Sequence, residues 1–400
     1  MKESVELLEE IDNTMLPFLK IILKKLNIKE DLFDKKVPLT FGKIDTIILE
    51  EYLYQSFGPS YDLIKKQNKR WSVNINPTTN KRMSGLISGA SINTIKKQFA
   101  NSTGQLAAII QGGRIFNERW EEYTLEDVLD IDIKACYATI MEDMDYPIGL
   151  PTILAFSKKK SARPTLREFL SKNKKELVEN LYTIVVSGKL SYSQTLLYSK
   201  VKESDIREDC DQKMIMLSNE LKNTIITSSI LESLQKICTP NELNEIMDAK
   251  VETAIYYPKS LELPAEEFVK EISKIPTTGT SEFDESISQI RDIRPRLWTK
   301  VSLGKLIKPL KKIRQEAKEE NNKALDQIAK LLINTIYGIL ISVHFEISNV
   351  VVGNNITAQA RLEIWKSNKK YPSVPPLNSL LFLDYHKRYN FVLKFTFQCI

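Results

Sequence analysis

Lys330, Asn334, Tyr337 and Gly338 stand at i, i+4, i+7 and i+8, a spacing that puts all four on one face of a helix as a polar stripe. Arg314 and Lys318, also four apart, precede them. Counting from the turn signal near Asn322 sets Arg314 about level with Lys330 across a helical hairpin. Three cations and an amide gathered in this way suit a polyphosphate, because arginine offers a fork of donors and lysine a point charge to non-bridging oxygens. Gly338, lacking a Cβ, would let a planar group come close to the backbone. The alternative is a solvated basic helix pair, since surface helices are normally charged.

A second cluster is acidic. In DIDIKACY, Asp130 and Asp132 alternate with Ile131 and Ile133, so a strand here turns both carboxylates to one sheet face and both isoleucines to the other. Carboxylates beside a phosphate-binding cluster suggest Mg2+, with Asp132 as the candidate ligand. Two-metal phosphoryl transfer needs oxygen ligands that bridge the ions, one ion activating the attacking oxygen and the other steadying the leaving pyrophosphate. A strand whose polar face is simply wet would show the same alternation.

Composition narrows the alternatives. With only His344 and His386, histidine-based acid/base or nucleophilic chemistry is disfavoured, which leaves carboxylates, lysines and bound metal as reagents. Cys136, Cys210, Cys238 and Cys399 are scattered without CxxC spacing, so a zinc site is not expected and the thiols read as reduced. A net charge of +6 tolerates a nucleic-acid partner without arguing for one. The first twelve residues are acidic and amphipathic, and no uninterrupted apolar run approaches the roughly 20 residues of a membrane helix. The expectation is a cytoplasmic protein with no membrane partner, its 400 residues making two or three domains.

The elements that must position these residues follow from periodicity. Apolar residues from Val5 to Ile22 recur at helical spacing, and a mixed stretch runs on to about Ala100. Residues 104–120 read strand, turn, strand, with Gly112 and Gly113 allowing a tight bend that presents Arg114. Val128 to Ile133 form a strand, followed by a helix from Tyr137 to Met141 that ends before Pro147. Helix is predicted for Leu166 to Leu181, strand for YTIVVSG, helix around Leu217 to Cys238 and strand for VETAIYYP. After a polar loop near 273–286 come two helices broken at Glu320, Asn321 and Asn322, read as an antiparallel hairpin. Residues 341–355 read as strand and 356–367 as helix, with an irregular tail after Ser367.

These motifs resemble family B DNA polymerases over about residues 100 to 366. DIDIKACYATI is similar to motif A, D-x-x-S-L-Y-P-S-I, aligning Asp132, Tyr137 and Ile140. KLLINTIYG is similar to motif B, K-x-x-x-N-S-x-Y-G, aligning Lys330, Asn334, Tyr337 and Gly338, with Thr335 in place of serine. Between them, Arg314 and Lys318 match the cations that fingers helices of this family place on the triphosphate. IIQGGR resembles the Y-x-G-G element, NVVVGNNITAQAR resembles the segment after motif B, and the order of all five is the family's.

The resemblance implies that Asp132 binds catalytic magnesium and that Ile133 lends its backbone to the triphosphate. Tyr137 would lie under the deoxyribose, where a ring excludes a 2′-hydroxyl; a packed aromatic is the alternative. Arg314, Lys318 and Lys330 would hold phosphates, Asn334 and Tyr337 would shape the base-pair pocket, and Gly112, Gly113, Arg114 and Gly338 would contact DNA. Lys134, Ala135, Cys136 and Ala138 depart from motif A. The implied fold is α/β (α+β), a palm whose antiparallel sheet is backed by helices, with the hairpin standing out as fingers. The domains expected are an N-terminal segment to 104, palm and insertion over 105–301, fingers over 302–340, and palm continuation with a divergent tail over 341–400. No motif C of the D-T-D type follows Arg361, although an apolar strand ending in Asp384 is a possible stand-in, and no thumb is found. The expectation is therefore a truncated or split polymerase, inactive alone or needing a separate chain with motif C and thumb, whose partners are primer-template DNA and dNTP. The rival expectation is a non-catalytic nucleic-acid-binding protein that uses the basic hairpin.

Overall fold

Leu19, Ile22 and Leu23 share one face of the first helix, and Ile44, Ile48, Leu49 and Leu53 share one face of the second; all seven are buried. These helices are α1 (Lys2–Lys25) and α2 (Phe41–Phe57), the latter started by Thr40, whose hydroxyl accepts from the Lys43 backbone N–H. The structure, a computed structural model, describes residues 2–61, 128–130, 135–149, 151–156, 160–194, 196–197, 199–200, 214–215, 218–274, 297–341, 349–370 and 381–383. Its fold is mixed helix and sheet, as the sequence predicts, and all pairings between its strands are antiparallel.

After α2 the order is β1 (Val128–Asp130), α3 (Cys136–Met141), β2 (Asp145–Gly149), β3 (Thr152–Ala155) and α4 (Leu166–Asn173). Then come β4 (Leu177–Gln194), β5 (Ser199–Lys200), β6 (Met214–Ile215), β7 (Ser218–Ile226), α5 (Ser228–Ile237), α6 (Pro240–Met247) and β8 (Lys250–Pro258). The last part holds α7 (Ala265–Ser273), β9 (Trp298–Ser302), α8 (Gly304–Glu319), α9 (Lys323–Ile341), α10 (Val350–Lys370) and β10 (Leu381–Leu383).

The larger sheet has the order β3-β8-β4-β7 and is built from the region between the two motifs, while β1 pairs with β10 and β2 with β9. Two capping boxes, Thr165 with Glu168 and Thr239 with Glu242, start α4 and α6. Helix α4 stops at Asn173 instead of running to Leu181, because Leu181, Ile184 and Val186 are buried in β4. The helix expected from Leu217 starts only at Ser228: Thr224, Ile225 and Ile226 pair with Ile184 to Val186 in the sheet.

The largest departure lies at 350–355, where strand was expected and α10 is found. The Asn349 side-chain oxygen accepts from the backbone N–H groups of Val351 and Val352 at 3.1 and 3.3 Å, and its amide donates to the Tyr257 hydroxyl at 2.9 Å. This cap and the burial of Val350, Val351 and Val352 outweigh the β preference of a valine run. Among the described tail residues, α10 reaches Lys370 and 381–383 form a strand; the rest of the tail, Asp384 included, lies outside the described residues.

The hairpin does not stand out alone. One apolar core joins α1, α2, α3, α8, α9 and the start of α10. Helix α9 is long and apolar enough to cross a membrane, with mean hydropathy 1.4. Lys330 and Asn334 interrupt its apolar run in the sequence. Here Leu332, Ile333, Ile336 and Leu340 bury that apolar face, with α2, α8 and α10 packed around it.

Candidate functional site

Of the stripe read from spacing on α9, Lys330 and Asn334 face solvent, while Tyr337 is packed into the apolar core. Lys330 and Asn334 are exposed, Tyr337 is 6% exposed, and a Cβ added at Gly338 would meet nothing within 4 Å. The opposite positions, Ala329, Leu332 and Ile336, are buried, so the 3.6-residue period separates a wet face from the core.

Ala135 introduces α3 with φ 49° and ψ 44°. That left-handed conformation costs an L residue roughly 1–2 kcal/mol, so packing must hold the chain in it. The turn leads into α3 and brings Tyr137 to α9. The rings of Tyr137 and Tyr337 stack with centroids 4.3 Å apart and planes 14° from parallel. Two aromatic residues 200 positions apart in sequence are thus packed face to face, Tyr137 half-buried and Tyr337 buried, with the exposed Lys330 and Asn334 on the helix that carries Tyr337.

The cations divide into two groups. Lys318 and Lys330 are exposed and make no ion pair among the described residues. Arg314 is engaged: its Nε donates to Asp326 Oδ1 at 2.9 Å, with the two side chains 17% and 22% exposed. The bond joins one hairpin helix to the other at the position where the sequence reading sets Arg314 level with Lys330. Asp326 lies in the first turn of α9, where a carboxylate also favours the positive end of the helix dipole.

Sequence reasoning missed Lys311. Its ammonium pairs with Glu142 and donates to Thr139 Oγ1 at 3.2 Å, tying α8 to the segment around α3 that carries Tyr137. Lys311 lies one turn before Arg314, but its partners are about 170 residues away, so no local pattern marks it. Gly304 gives a second close approach at this junction, since a Cβ there would collide with the Glu142 carbonyl oxygen.

Asp132, Ile133, Gly112, Gly113 and Arg114 lie outside the described residues. Among the described residues no group of three or more His, Cys, Asp or Glu side chains is placed to hold a metal ion. The carboxylates facing the hairpin cations are engaged, Glu142 with Lys311 and Asp326 with Arg314. A cavity of about 600 Å³ bordered by Asp143, Asp145, Glu179, Lys300 and Glu363 contains none of the predicted site residues. Its lysines are largely neutralised, as in Lys300–Asp145 at 3.0 Å and Lys366–Glu363 at 2.9 Å.

The described arrangement can offer the half-buried Tyr137 ring backed by Tyr337, with the exposed Lys330 and Asn334 along the helix of Tyr337 and open space at Gly338. That combination suits a ligand carrying both a flat or sugar-like part and an anionic part.

No protein-family model matches the sequence. The chain is 40% identical over 88 residues to the uncharacterized mitochondrial protein ymf29 of Marchantia polymorpha, a match covering 20% of this chain and 42% of that protein. Among solved structures it is similar to Phi29 DNA polymerase complexed with primer-template DNA and incoming nucleotide substrates, with a TM-score of 0.34 and 13% identity. That match covers 81% of this chain and 48% of the polymerase chain. The binary complex of the same polymerase with primer-template DNA gives a TM-score of 0.31 at 13% identity, covering 81% and 47%. The chain thus spans less than half the length of each of these proteins.

Proposed function

We propose that this chain supplies the palm and fingers of a family B type, template-directed DNA polymerase and binds a deoxynucleoside triphosphate against the exposed face of α9. The observation that carries this reading is the parallel stack of Tyr137 on Tyr337. It joins the two positions at which the sequence resemblance puts a sugar-sensing ring and a pocket-shaping ring. Lys330 and Lys318 supply charge to the phosphates, Asn334 lies one turn from Lys330 toward the ring pair, and Gly338 leaves the approach open. Tyr137 would lie under the deoxyribose and exclude a 2′-hydroxyl by bulk. Asp132 would hold magnesium, which when bound supplies Lewis-acid stabilisation of phosphate charge. Primer-template binding and deoxynucleotidyl transfer belong to the same proposal.

The test compares dNTP and duplex DNA binding in wild type and Lys330→Ala. Loss of one charged phosphate contact should weaken dNTP binding about tenfold. DNA binding should change much less; equal losses would mark Lys330 as a general backbone contact, and DNA binding indifferent to dNTP would favour a non-catalytic binding protein. In a primer-extension assay the 400-residue chain alone should give negligible product, because only one of the two expected metal-bridging aspartates is found in it. Robust magnesium-dependent synthesis, abolished by Asp132→Ala, would refute that inactivity.

A further inference from the structure

Resting on the polyphosphate reading above, we propose that Asp326 is a built-in competitor for the phosphate site, a carboxylate that occupies Arg314 until a polyphosphate displaces it. Three observations carry this. The Arg314–Asp326 contact is a single bond through Nε, at 2.9 Å, and no hydrogen bond of the guanidinium's terminal nitrogens is found among the described residues. A side-on, two-bond pair would be harder to exchange. Next, the pair is partly exposed, at 17% and 22%, so a ligand in solvent can reach it. Finally, each partner has an exposed lysine four residues on with no ion pair among the described residues: Lys318 follows Arg314 along α8, and Lys330 follows Asp326 along α9. Of the three cations that helix spacing sets along this stretch of the hairpin, the carboxylate pairs with Arg314 alone among the described residues.

A triphosphate brings several negative charges where Asp326 brings one, and its non-bridging oxygens can engage the lysines and the unused guanidinium donors together. Exchange therefore favours a polyphosphate over a singly charged anion. Asp326 sets a threshold that weakly charged anions do not cross, which would sharpen discrimination for the triphosphate over the monophosphate.

The experiment titrates inorganic triphosphate into the full chain as wild type, Asp326→Asn, Arg314→Ala, the double variant and Lys330→Ala, with thermal melting of each. If Asp326 competes, Asp326→Asn binds about threefold to tenfold more tightly, the size expected from releasing one partly exposed ion pair. That gain disappears when Arg314 is also alanine. Unchanged or weaker binding by a folded Asp326→Asn variant overturns the proposal, as does a gain that persists without Arg314, which would show a general charge effect. Asp326→Ser serves as a second variant, and loss of folding in both would assign the pair to bracing the hairpin and overturn the proposal too. The underlying polyphosphate reading fails separately, if wild type does not bind triphosphate or Lys330→Ala binds it equally well.

Discussion

Lys330 and Arg314 carry the same charge in the sequence and have different surroundings in the fold. Lys330 is exposed and makes no ion pair among the described residues, whereas Arg314 meets Asp326 across the hairpin. Asp45 is a sharper case of a residue defined by its surroundings. It is 1% exposed on α2, and neither carboxylate oxygen has a hydrogen-bond partner among the described residues. Burial raises its pKa well above the usual carboxylate range. The folded state therefore keeps a proton that the unfolded chain releases, so this contribution to stability is fully present below the unfolded pKa and is lost as pH rises through the folded one. Asp45→Asn cannot ionise and should remove that decline. Urea unfolding across pH should show the wild-type slope steeper than the variant's by up to about 1.4 kcal/mol per pH unit inside the window. Equal slopes would mean that Asp45 is not buried as described.

At the scale of elements, the hairpin was the most legible part of the chain. The i, i+4, i+7, i+8 spacing, the Asn321–Asn322 break and the apolar opposite face all point to two helices, and α8 and α9 meet at Asn321, which takes φ 56°. Helix α10 was illegible for the converse reason: three consecutive valines favour strand locally, and only the Asn349 cap and burial against neighbouring elements make them helical. The seating of α8 on α3 was also hidden, since it rests on Lys311 bonding Thr139 and Glu142 and on Gly304 admitting a carbonyl oxygen. Gly304→Ala should force this junction apart and cost about 1–3 kcal/mol, read as a lower melting temperature. A neutral result would show that α8 shifts freely at its start.

At the scale of the whole molecule, the two N-terminal helices, to which no chemistry is assigned, pack against the elements that carry the candidate site. Helix α2 packs along α9, Lys25 of α1 pairs with Glu316 of α8, and the Tyr52 hydroxyl donates to the Ser302 carbonyl at 2.8 Å, just before α8. If this is one cooperative core, Ile48→Ala should cost about 2–5 kcal/mol and lower hydrogen-exchange protection in α9 as well as α2. Loss confined to α2 would show that the N-terminal helices are a separate unit. By itself the sequence determined what a repeating pattern can encode: the helical hairpin, the exposed Lys330 and Asn334 on its second helix, and the candidate residues in their order. The tertiary structure alone decided which of those residues are available, because pairing Arg314 with Asp326, stacking Tyr137 on Tyr337 and burying Asp45 all depend on contacts between helices, whose partners no local spacing records.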